Sequence, residues 1–527
     1  MFWADKIAKE IIQSGKYQPY RVDDMFTPSG FAHVGSLRGP LVHDLITKAI
    51  RDAGEKPLYT FVINDFDPID GLPQELQEKF EQYLGFPLCN APSPNGKLES
   101  FAEFFANDFK KVLTDLGMEA KFLSSWDMYH EGKFNEVIKE ALDGTDKIKA
   151  IYKRVSGSKK GDENWYPFQV ICPNCGKLGT TRVVGWDGKT VEYVCEPEMV
   201  TWAKGCGNTG RISPFDGNGK LLWKVDWPAH WKVLGITIEG AGKDHSTAGG
   251  SRDIAREICK EVTNYPEPYN LPYEFFLYGG KKMSSSKGLG LKARDLISVL
   301  PPNVGRFLFS KTDYREAIEF DPSGTLAISS LFDEYDRSWN AYVEGSDETL
   351  SRTFEFSQTG VLPPKEKTFI SRFRDVVNYI QLPNIVLVDK FNELKGELLT
   401  SFEKEILEER ERYARVWLKN YAPEEVSFQM AQTLPDVAKH LTDLQKNYLV
   451  RVAELIREEN TADELQIKLY NLSKELELGA KEAFSAIYIA FTGRESGPKA
   501  AWFLLQYPKD VVVKRLMEAA ESKEEVL

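Results

Sequence analysis

A glycine turn between a predicted strand and a predicted helix constrains this chain more than any other stretch of it. Residues 20–26 are typical of a short strand, and residues 41–50 carry apolar side chains at helical spacing. A strand, a tight turn and a helix bring backbone N–H groups and the positive end of a helix dipole to one point, where a phosphate is stabilised. The turn itself is Thr27-Pro28-Ser29-Gly30-Phe31-Ala32-His33-Val34-Gly35-Ser36.

Two properties of this turn suit a nucleotide. Gly30 and Gly35 have no Cβ, so a nucleotide can approach the backbone closely, and His33 is placed to reach a phosphate oxygen. An ordinary turn between a strand and a helix can have the same composition. The turn alone therefore leaves both interpretations open.

A second stretch, rich in serine and lysine, follows a second predicted strand at residues 273–278. Mobile cations and hydroxyl donors suit a triphosphate whose charge changes during a reaction, although a solvated basic loop would look the same. The two stretches in this order, each where a strand ends, are far more specific than either one. The second stretch is Lys281-Lys282-Met283-Ser284-Ser285-Ser286-Lys287-Gly288.

The two stretches resemble the signatures of class I aminoacyl-tRNA synthetases, usually written HIGH and KMSKS. Within that class the chain is most similar to the class I lysyl-tRNA synthetases, over nearly its whole length. Ser36 stands where HIGH has its second histidine, and Ser285 stands where KMSKS has its second lysine, with Lys287 two places later. This leaves open which cation meets the leaving phosphates. Further residues that carry the resemblance are Asp226-Trp227-Pro228, Ala241-Gly242-Lys243-Asp244-His245, Arg306-Phe307-Leu308-Phe309, Glu334-Tyr335-Asp336-Arg337 and the segment Ser496-Gly497-Pro498-Lys499-Ala500-Ala501-Trp502-Phe503.

The resemblance implies a ligase that uses ATP, accompanied by Mg²⁺, to attach L-lysine to tRNA(Lys) through a lysyl-adenylate. It assigns His33, Lys282 and Lys287 to catalysis by stabilising phosphate charge. The residues expected to bind ATP are Ser29, Gly30, His33, Gly35, Ser36, Gly242, Asp244, Lys282, Ser284, Ser285, Ser286 and Lys287. The residues expected to bind lysine are Thr27, Asp65, Trp227, His245 and Tyr273.

Asp65 is the predicted partner of the lysine ammonium group. It follows the apolar run at residues 58–63, which is typical of a buried parallel strand, and ligand contacts gather where such strands end. Trp227, His245 and Tyr273 would form the walls, since aromatic faces accept an ammonium and its methylene stem. The alternative is that Asp65 caps a helix, in which case Asp67 or Glu239 would hold the ammonium.

Four of the six cysteines form a group with the spacing of a metal site. A Cys-x-x-Cys pair followed by two further cysteines indicates a structural, tetrahedral zinc site rather than disulfides. The last two are separated by ten residues instead of two, and a redox pair or free thiols remain the alternatives. Cys89 and Cys259 are expected in the core. The predicted zinc ligands are Cys172, Cys175, Cys195 and Cys206.

The predicted fold is α/β, with a Rossmann-like parallel-sheet catalytic domain interrupted by a zinc-containing insertion and followed by an all-helical domain. Residues 1–71 form the first half of the catalytic domain and residues 72–219 the insertion. Residues 220–329 form the second half with the KMSKS loop and a helical linker, and residues 330–527 the helical domain. In the family, an insertion of this kind faces the tRNA acceptor end, where Lys153, Arg154, Lys159 and Lys160 could contact phosphates. The helical domain resembles an anticodon-binding domain, for which the family implies a UUU or CUU anticodon.

Within these regions the sequence predicts amphipathic helices from residue 100 to 142 and short strands at residues 181–184 and 191–194. The parallel sheet is predicted to resume with a strand at residues 231–240. A helix at residues 252–261 and a helical segment at residues 296–309 complete this part of the prediction.

Composition limits the possible partners. The formal net charge of −12 requires a local basic surface if the partner is a tRNA. No run of apolar residues in the sequence is long enough to cross a bilayer, and the first residues lack the apolar centre of a signal peptide. We therefore expect a cytoplasmic protein without a membrane partner, acting as a monomer.

Three other functions are compatible with parts of the sequence. A class I synthetase for another amino acid, such as glutamate, would need an arginine in the pocket instead of a carboxylate. A nucleotidyltransferase that acts on a small acid would not need the long helical region. An inactive tRNA-binding paralogue would not need the intact His33 and Lys282 signatures.

Overall fold

The parallel sheet predicted around the glycine turn is present in the structure, a computed structural model that describes residues 1–157, 165–282, 291–381, 385–423, 426, 430–458 and 460–522. The chain forms two compact units. One comprises residues 1–320 and 337–365, and the other residues 321–336 and 366–527. The boundaries of the four regions predicted from the sequence remain predictions. No helix in the described ranges has the length and apolar character needed to span a membrane.

The first unit opens with the predicted alternation of helix and strand. Two strands pair in parallel, Arg21 opposite Leu58 and Phe26 opposite Ile63, and the helix predicted at residues 41–50 is confirmed. These elements are α1 (Trp3–Ser14), β1 (Arg21–Phe26), α2 (Arg38–Asp52) and β2 (Leu58–Ile63).

A third parallel strand lies within the stretch predicted to be helical. The elements are α3 (Gln77–Phe80), α4 (Phe101–Asp115), β3 (Lys121–Ser124), α5 (Ser125–His130), α6 (Asn135–Asp143) and α7 (Thr145–Ser156). β3 pairs in parallel with β2, Thr60 opposite Lys121. Four residues between amphipathic helices carry too little periodicity to be recognised as a strand, so the sequence prediction missed β3.

The cysteine-containing segment consists of short antiparallel strands, and the two predicted there are confirmed. β4 (Phe168–Val170) pairs with β8 (Gly219–Leu221), while β5 (Thr181–Trp186), β6 (Val191–Cys195) and β7 (Thr209–Ile212) form a three-stranded sheet. Apolar residues of this segment share one core with β2 and with helices α5 to α7, for example Val183, Tyr193, Val62 and Ile148.

The strand predicted at residues 231–240 is wrong over its first part, which belongs to helix α8 (Trp223–Leu234). Trp227 and Trp231 are four residues apart and so lie on one face of a helix, a period that the dense apolar sequence concealed. Gly235, with a φ of +66°, ends the helix. Only Ile238 then makes strand-like bridges, to Val22 and to Tyr269, both parallel.

The segment around Ile238 completes a five-stranded parallel arrangement. β9 (Ala241–Gly242) pairs in parallel with β10 (Pro272–Tyr273), and α9 (Ser251–Ile258) lies between them, continued by a π-helical turn at Cys259–Thr263. The spatial order is therefore β3, β2, β1, residues 238–242 and residues 269–273. The order reverses beside β1. The carboxyl end of β1, where the glycine turn begins, is the place at which open parallel sheets bind ligands.

The remainder of the first unit consists of short strands and helices on either side of the serine- and lysine-rich loop in the sequence. The strand predicted at residues 273–278 is divided between β10 and β11 (Phe276–Tyr278), which pairs with β12 (Lys281–Lys282) and with β13 (Ile318–Glu319). The helical segment predicted at residues 296–309 is confirmed as α10 (Ala293–Val299) and α11 (Pro302–Ser310). Helix α12 (Ala327–Glu344) begins in the second unit and ends in the first, and α13 (Glu348–Ser357) belongs to the first.

The second unit is helical in its described part, as predicted. Its helices after residue 366 are α14 (Phe373–Tyr379), α15 (Leu387–Lys395), α16 (Ser401–Asn420), α17 (Asp443–Arg457), α18 (Ala462–Glu475), α19 (Ala480–Thr492), α20 (Ala500–Leu505) and α21 (Lys509–Glu521). Thr400, Thr442 and Thr461 each cap the following helix through a capping box. A core that includes Tyr448, Leu469, Ile487 and Leu516 joins the last five helices.

Candidate active site

The structure brings the glycine turn together with residues 291–293, which follow the serine- and lysine-rich loop. Val34 N–H donates to the carbonyl of Leu291 (2.8 Å), and Ala293 N–H donates to that of Ala32 (2.8 Å). His33 forms an antiparallel bridge with Lys292. The residues that follow the loop thus lie beside His33. The side chain of Lys282 and the residues Ser284, Ser285, Ser286 and Lys287 lie outside the described residues.

The turn leads into α2 through a short 3₁₀ helix, Val34–Leu37, for which His33 is the extended N-cap residue. Ser36 N–H donates to the carbonyl of His33 (2.9 Å), so this amide and that of Val34 are already bonded within the protein. Ser29 N–H likewise donates to the carbonyl of Thr27 (2.9 Å). The predicted contribution of backbone amides to phosphate binding cannot come from these three.

Glycine is required at the start of α2. A Cβ on Gly39 would lie 2.6 Å from Tyr273 Oη and 2.7 Å from Asp24 Oδ2. The phenol of Tyr273 and the carboxylate of Asp24 therefore both approach the backbone of α2 at Gly39. His43, one turn further along α2, accepts from Gly240 N–H through Nε2 (2.7 Å), and its Nδ1 lies 2.8 Å from the carbonyl oxygen of Gly39. This histidine joins α2 to the segment before β9.

Asp24 is buried, and Oδ2 of its carboxylate has no hydrogen-bond partner in the described structure. The closest basic atom given for that oxygen is His43 Nδ1, at 3.4 Å. Asp23, the preceding residue, accepts from Thr60 Oγ1 through Oδ1, and its Oδ2 also has no hydrogen-bond partner in the described structure. Burial raises the pKa of Asp23 well above its ordinary value. Since buried carboxylate oxygens are nearly always bonded, the state of Asp24 needs an explanation.

The other candidate carboxylates already have donors. Asp65 accepts from Ser124 Oγ (2.6 Å) and from Trp126 N–H (2.8 Å) at the start of α5. Burial raises the pKa of Asp65. Asp67 accepts from Thr27 Oγ1 (2.8 Å) and forms an ion pair with Lys220. The contacts of Asp65 are those of the helix-capping alternative.

Lys220 of β8 forms a buried ion cluster that reaches the glycine turn. Its ammonium group contacts Asp67 and also Asp226 (2.9 Å), and its side chain is 3% exposed. Tyr129 Oη donates to Asp226 Oδ1 (2.5 Å). The two carboxylates raise the pKa of Lys220, in spite of its burial, so the lysine stays charged. Thr27 is therefore connected, through Asp67, to a strand of the cysteine-containing segment.

Trp227 and His245 are brought together as predicted partners of one pocket. Their ring centroids are 6.0 Å apart, at an angle of 66° between the rings. Trp227 Nε1 donates to Glu239 Oε1 (2.7 Å), and Trp231 Nε1 donates to the other oxygen of the same carboxylate. Burial raises the pKa of Glu239 to about 7, against the opposing effect of the nearby Arg252.

β9 and β10 place Gly242 opposite Tyr273, which brings the predicted adenosine and lysine contacts to one edge of the sheet. A Cβ on Gly242 would lie 2.9 Å from Asp244 Oδ1, so the glycine leaves room for that carboxylate. Gly30 has no such constraint, because its nearest neighbour, Pro73 Cγ, is at ordinary contact distance, 3.4 Å.

A family model described as tRNA synthetases class I (K) matches residues 1–360. The chain belongs to this family. Curated relatives named lysine–tRNA ligase align along almost the entire chain. That of Archaeoglobus fulgidus is 33% identical over 98% of this chain and 100% of its own, and that of Pyrococcus horikoshii is 34% identical over 98% of this chain and 99% of its own.

The lysine–tRNA ligase of Methanosarcina barkeri is 33% identical over 99% of this chain and 98% of its own. Among solved structures, a glutamate tRNA ligase from Elizabethkingia meningosepticum aligns over 96% of this chain and 100% of that one, with 11% identity and a TM-score of 0.44. At that level of similarity the alignment does not bear on the substrate.

This class I synthetase also brings its four grouped cysteines together. The sulfur atoms lie within 4.8 Å of one another, with Cys172 Sγ 3.6 Å from Cys206 Sγ and Cys175 Sγ 3.7 Å from Cys195 Sγ. All six cysteines are free thiols. Cys206 N–H donates to Cys195 Sγ (3.3 Å), a backbone contact typical of the knuckle turns that surround thiolate ligands.

Of the basic residues predicted to contact phosphates in this synthetase, Arg154 forms ion pairs with Glu257 (3.2 Å) and Glu261. Lys159 and Lys160 lie outside the described residues. The sequence analysis gave no role to Asp24, Lys220 or Trp223. A charged residue in a predicted strand, or an acid-base pair 153 residues apart, gives no signal in a single sequence, whereas the dense group of tryptophans near Asp226 could have suggested Trp223.

Proposed function

We propose that this class I synthetase is a lysine–tRNA ligase, which attaches L-lysine to tRNA(Lys) at the expense of ATP. The match to curated lysine–tRNA ligases over almost the whole chain carries this proposal. The contact of residues 291–293, which follow the serine- and lysine-rich loop, with Ala32, His33 and Val34 supports it, because the two signatures of the class act on one ATP molecule and must meet.

The reaction has two steps and needs no nucleophile from the protein. The lysine carboxylate attacks the α-phosphorus of ATP, so that lysyl-adenylate forms and pyrophosphate leaves. A hydroxyl of the terminal tRNA ribose then attacks the activated carbonyl, and AMP leaves. Catalysis must come from positioning and from stabilisation of phosphate charge, which we assign to His33, Lys282 and Lys287. Mg²⁺ bound to the phosphates of ATP would neutralise part of their charge.

We assign the remaining ATP contacts as the resemblance implies. Gly242 and Asp244 at the end of β9 face the adenosine, with Asp244 on the ribose. The glycine turn lies along the phosphates, through Ser29, Gly30, Gly35 and Ser36. Ser284, Ser285 and Ser286 would donate hydroxyl hydrogen bonds to the phosphates.

For the lysine side chain we propose Asp24 as the partner of the ammonium group, in place of Asp65. A buried ammonium requires a carboxylate that can accept from it. Asp65, Asp67 and Glu239 already accept on both oxygens, whereas Asp24 Oδ2 has no hydrogen-bond partner in the described structure. Tyr273, Trp227 and His245 keep their predicted places as the walls of the pocket, and Thr27 lies at its edge.

We propose that the four grouped cysteines hold a structural Zn²⁺. In a tetrahedral Zn–thiolate site with bonds of about 2.3 Å, the sulfurs are about 3.8 Å apart. The distance from Cys172 Sγ to Cys206 Sγ, 3.6 Å, and that from Cys175 Sγ to Cys195 Sγ, 3.7 Å, fit that arrangement. Four thiolates leave no position for a reactive water, so the metal would organise β5, β6 and β7 rather than take part in the reaction.

We propose that the helical second unit binds the tRNA anticodon. Its support is the helical content of its described part and the full-length match to the ligases. The boundary at residue 330 and the anticodon bases UUU or CUU remain part of the proposal.

Amino-acid-dependent ATP–pyrophosphate exchange, measured for each of the standard amino acids with and without tRNA, tests the proposed function. We expect exchange with lysine and with no other amino acid. Exchange with glutamate would favour the related synthetase, and the absence of exchange with every amino acid would favour the inactive paralogue. His33→Ala is the control, since it should remove the lysine signal.

A further inference from the structure

Trp223, the first residue of α8, exposes an indole ring beside the proposed lysine pocket. Its side chain is 49% exposed, and no other tryptophan of the described residues is exposed. Trp227 and Trp231, on the same helix, are 6% and 0% exposed. The exposed ring offers a large, rigid apolar surface next to the proposed lysine pocket.

The ring of Trp223 is held against the walls of the pocket. It stacks on Trp227 with a centroid distance of 6.4 Å and an angle of 24°, and it meets His245 edge-on at 5.8 Å. Trp227 in turn contacts Glu239 through its indole nitrogen. One side of Trp223 thus contacts two residues proposed to form the walls of the lysine pocket, while about half of its side chain stays exposed.

A lysine ammonium group lies near the ring of Trp223. Lys224 Nζ lies 5.8 Å from the centroid of the Trp223 ring. An aromatic face next to a lysine is the combination that single-stranded nucleic acids bind, because a base stacks on the ring and the ammonium attracts the backbone phosphate.

The second step of the proposed reaction brings a single-stranded RNA end to this place. The terminal ribose hydroxyl must reach the carbonyl of the lysyl-adenylate, so the base on that ribose lies within one nucleotide of the pocket. We propose that the exposed face of Trp223 stacks on the 3′-terminal adenine base of the tRNA. This inference rests on the proposed lysine–tRNA ligase function and adds to it a contact with the acceptor end.

Binding of two forms of tRNA(Lys), with and without the 3′-terminal adenosine, separates this contact from the rest of the tRNA interface. The full-length protein and its variants Trp223→Ala and Trp223→Phe are titrated with each form at one salt concentration, because tRNA affinity depends on salt. The readout is the ratio of the two dissociation constants. Trp502→Ala is the matched control, since Trp502 also has a lysine over its ring, Lys499 Nζ at 4.6 Å.

We expect the wild-type protein to bind the complete tRNA about tenfold more tightly than the shortened one. The ratio should fall close to one in Trp223→Ala, remain intermediate in Trp223→Phe, and keep the wild-type value in Trp502→Ala. An unchanged ratio in Trp223→Ala would overturn the proposal. An unchanged ratio together with a raised KM for lysine would instead place Trp223 in the amino-acid pocket. If the wild-type protein bound neither tRNA, the proposed function itself would fail.

Discussion

At the scale of single residues, the carboxylates around the glycine turn differ in what they already bind. Asp65 accepts a hydrogen bond from a backbone N–H of α5. Asp67 accepts one from Thr27 and pairs with Lys220, and Glu239 accepts from the indole N–H groups of two tryptophans. Asp24 Oδ2 remains without a donor although it is buried. An unsatisfied buried acceptor lowers stability, and a cationic substrate that bonds to it would recover that free energy only in the complex.

Asp24→Asn therefore should raise the KM for lysine with little change in the KM for ATP. Loss of a hydrogen bond to a charged group is worth about 1.5–3 kcal/mol, which corresponds to a ten- to hundredfold change. Initial rates of tRNA charging, with lysine and ATP varied in turn, measure both constants. Asp65→Asn is the matched control and should leave the lysine KM close to the wild-type value; the reverse pattern would restore Asp65 as the ammonium partner.

Glu239 predicts a pH dependence of stability. Burial raises its pKa from the ordinary 4.5 to about 7, so between these pH values the folded protein holds a proton that the unfolded chain has released. This contribution stabilises the fold at pH 5 and is lost as the pH rises through 7. Glu239→Gln lacks it. The melting temperature of the wild type minus that of Glu239→Gln should therefore be larger at pH 5 than at pH 8. An equal difference at both pH values would show that the pKa of Glu239 is not raised.

At the scale of secondary-structure elements, β8 connects the cysteine-containing segment to the active site. Lys220 brings its charge to Asp67, which follows β2, and to Asp226 in α8, while Thr27 after β1 donates to Asp67. The cation is fully buried and paired with two carboxylates. The side chain of Lys220 thus links β8, the residues after β2 and helix α8.

Lys220→Met should destabilise the protein by about 3–5 kcal/mol, because it leaves the buried carboxylate of Asp226 and the partly buried one of Asp67 without their cation. Thermal unfolding measures the loss. Adding Asp226→Asn to Lys220→Met should recover part of it, since one of the unpaired charges is removed. Lys232→Met is the control, because its ion pair with Glu140 is partly exposed and should contribute no more than about 1 kcal/mol. A Lys220→Met protein as stable as that control would mean that the cluster does not stabilise the fold.

The four grouped cysteines predict that the protein contains bound zinc. Protein purified without chelator should contain one zinc per chain by elemental analysis, and Cys172→Ser should lower that content and expose β5 to β7 to proteolysis. Cys259→Ser, outside the group, should keep the metal. Wild-type protein without zinc would remove the proposed site and leave the four cysteines as thiols.

At the scale of the whole molecule, the sequence was sufficient for features that local patterns encode. The strand at residues 58–63 is an unbroken apolar run, the α2 helix has a clear period, and the four cysteines meet in space. Four residues were too few to reveal β3, and the tryptophans of α8 hid a helix in an apolar stretch. The bonds of Asp65 and Lys220 depend on residues 59 to 153 positions away, which no local pattern contains.

The central claim, that this synthetase charges tRNA with lysine, is tested most directly by separating charged from uncharged tRNA(Lys) after reaction with ATP and either lysine or glutamate. We expect lysyl-tRNA to accumulate only when ATP and lysine are both present, and no product with glutamate. His33→Ala should lower the rate while tRNA binding persists. Glutamyl-tRNA as the product, or uncharged tRNA alone with the wild-type protein, would contradict the account.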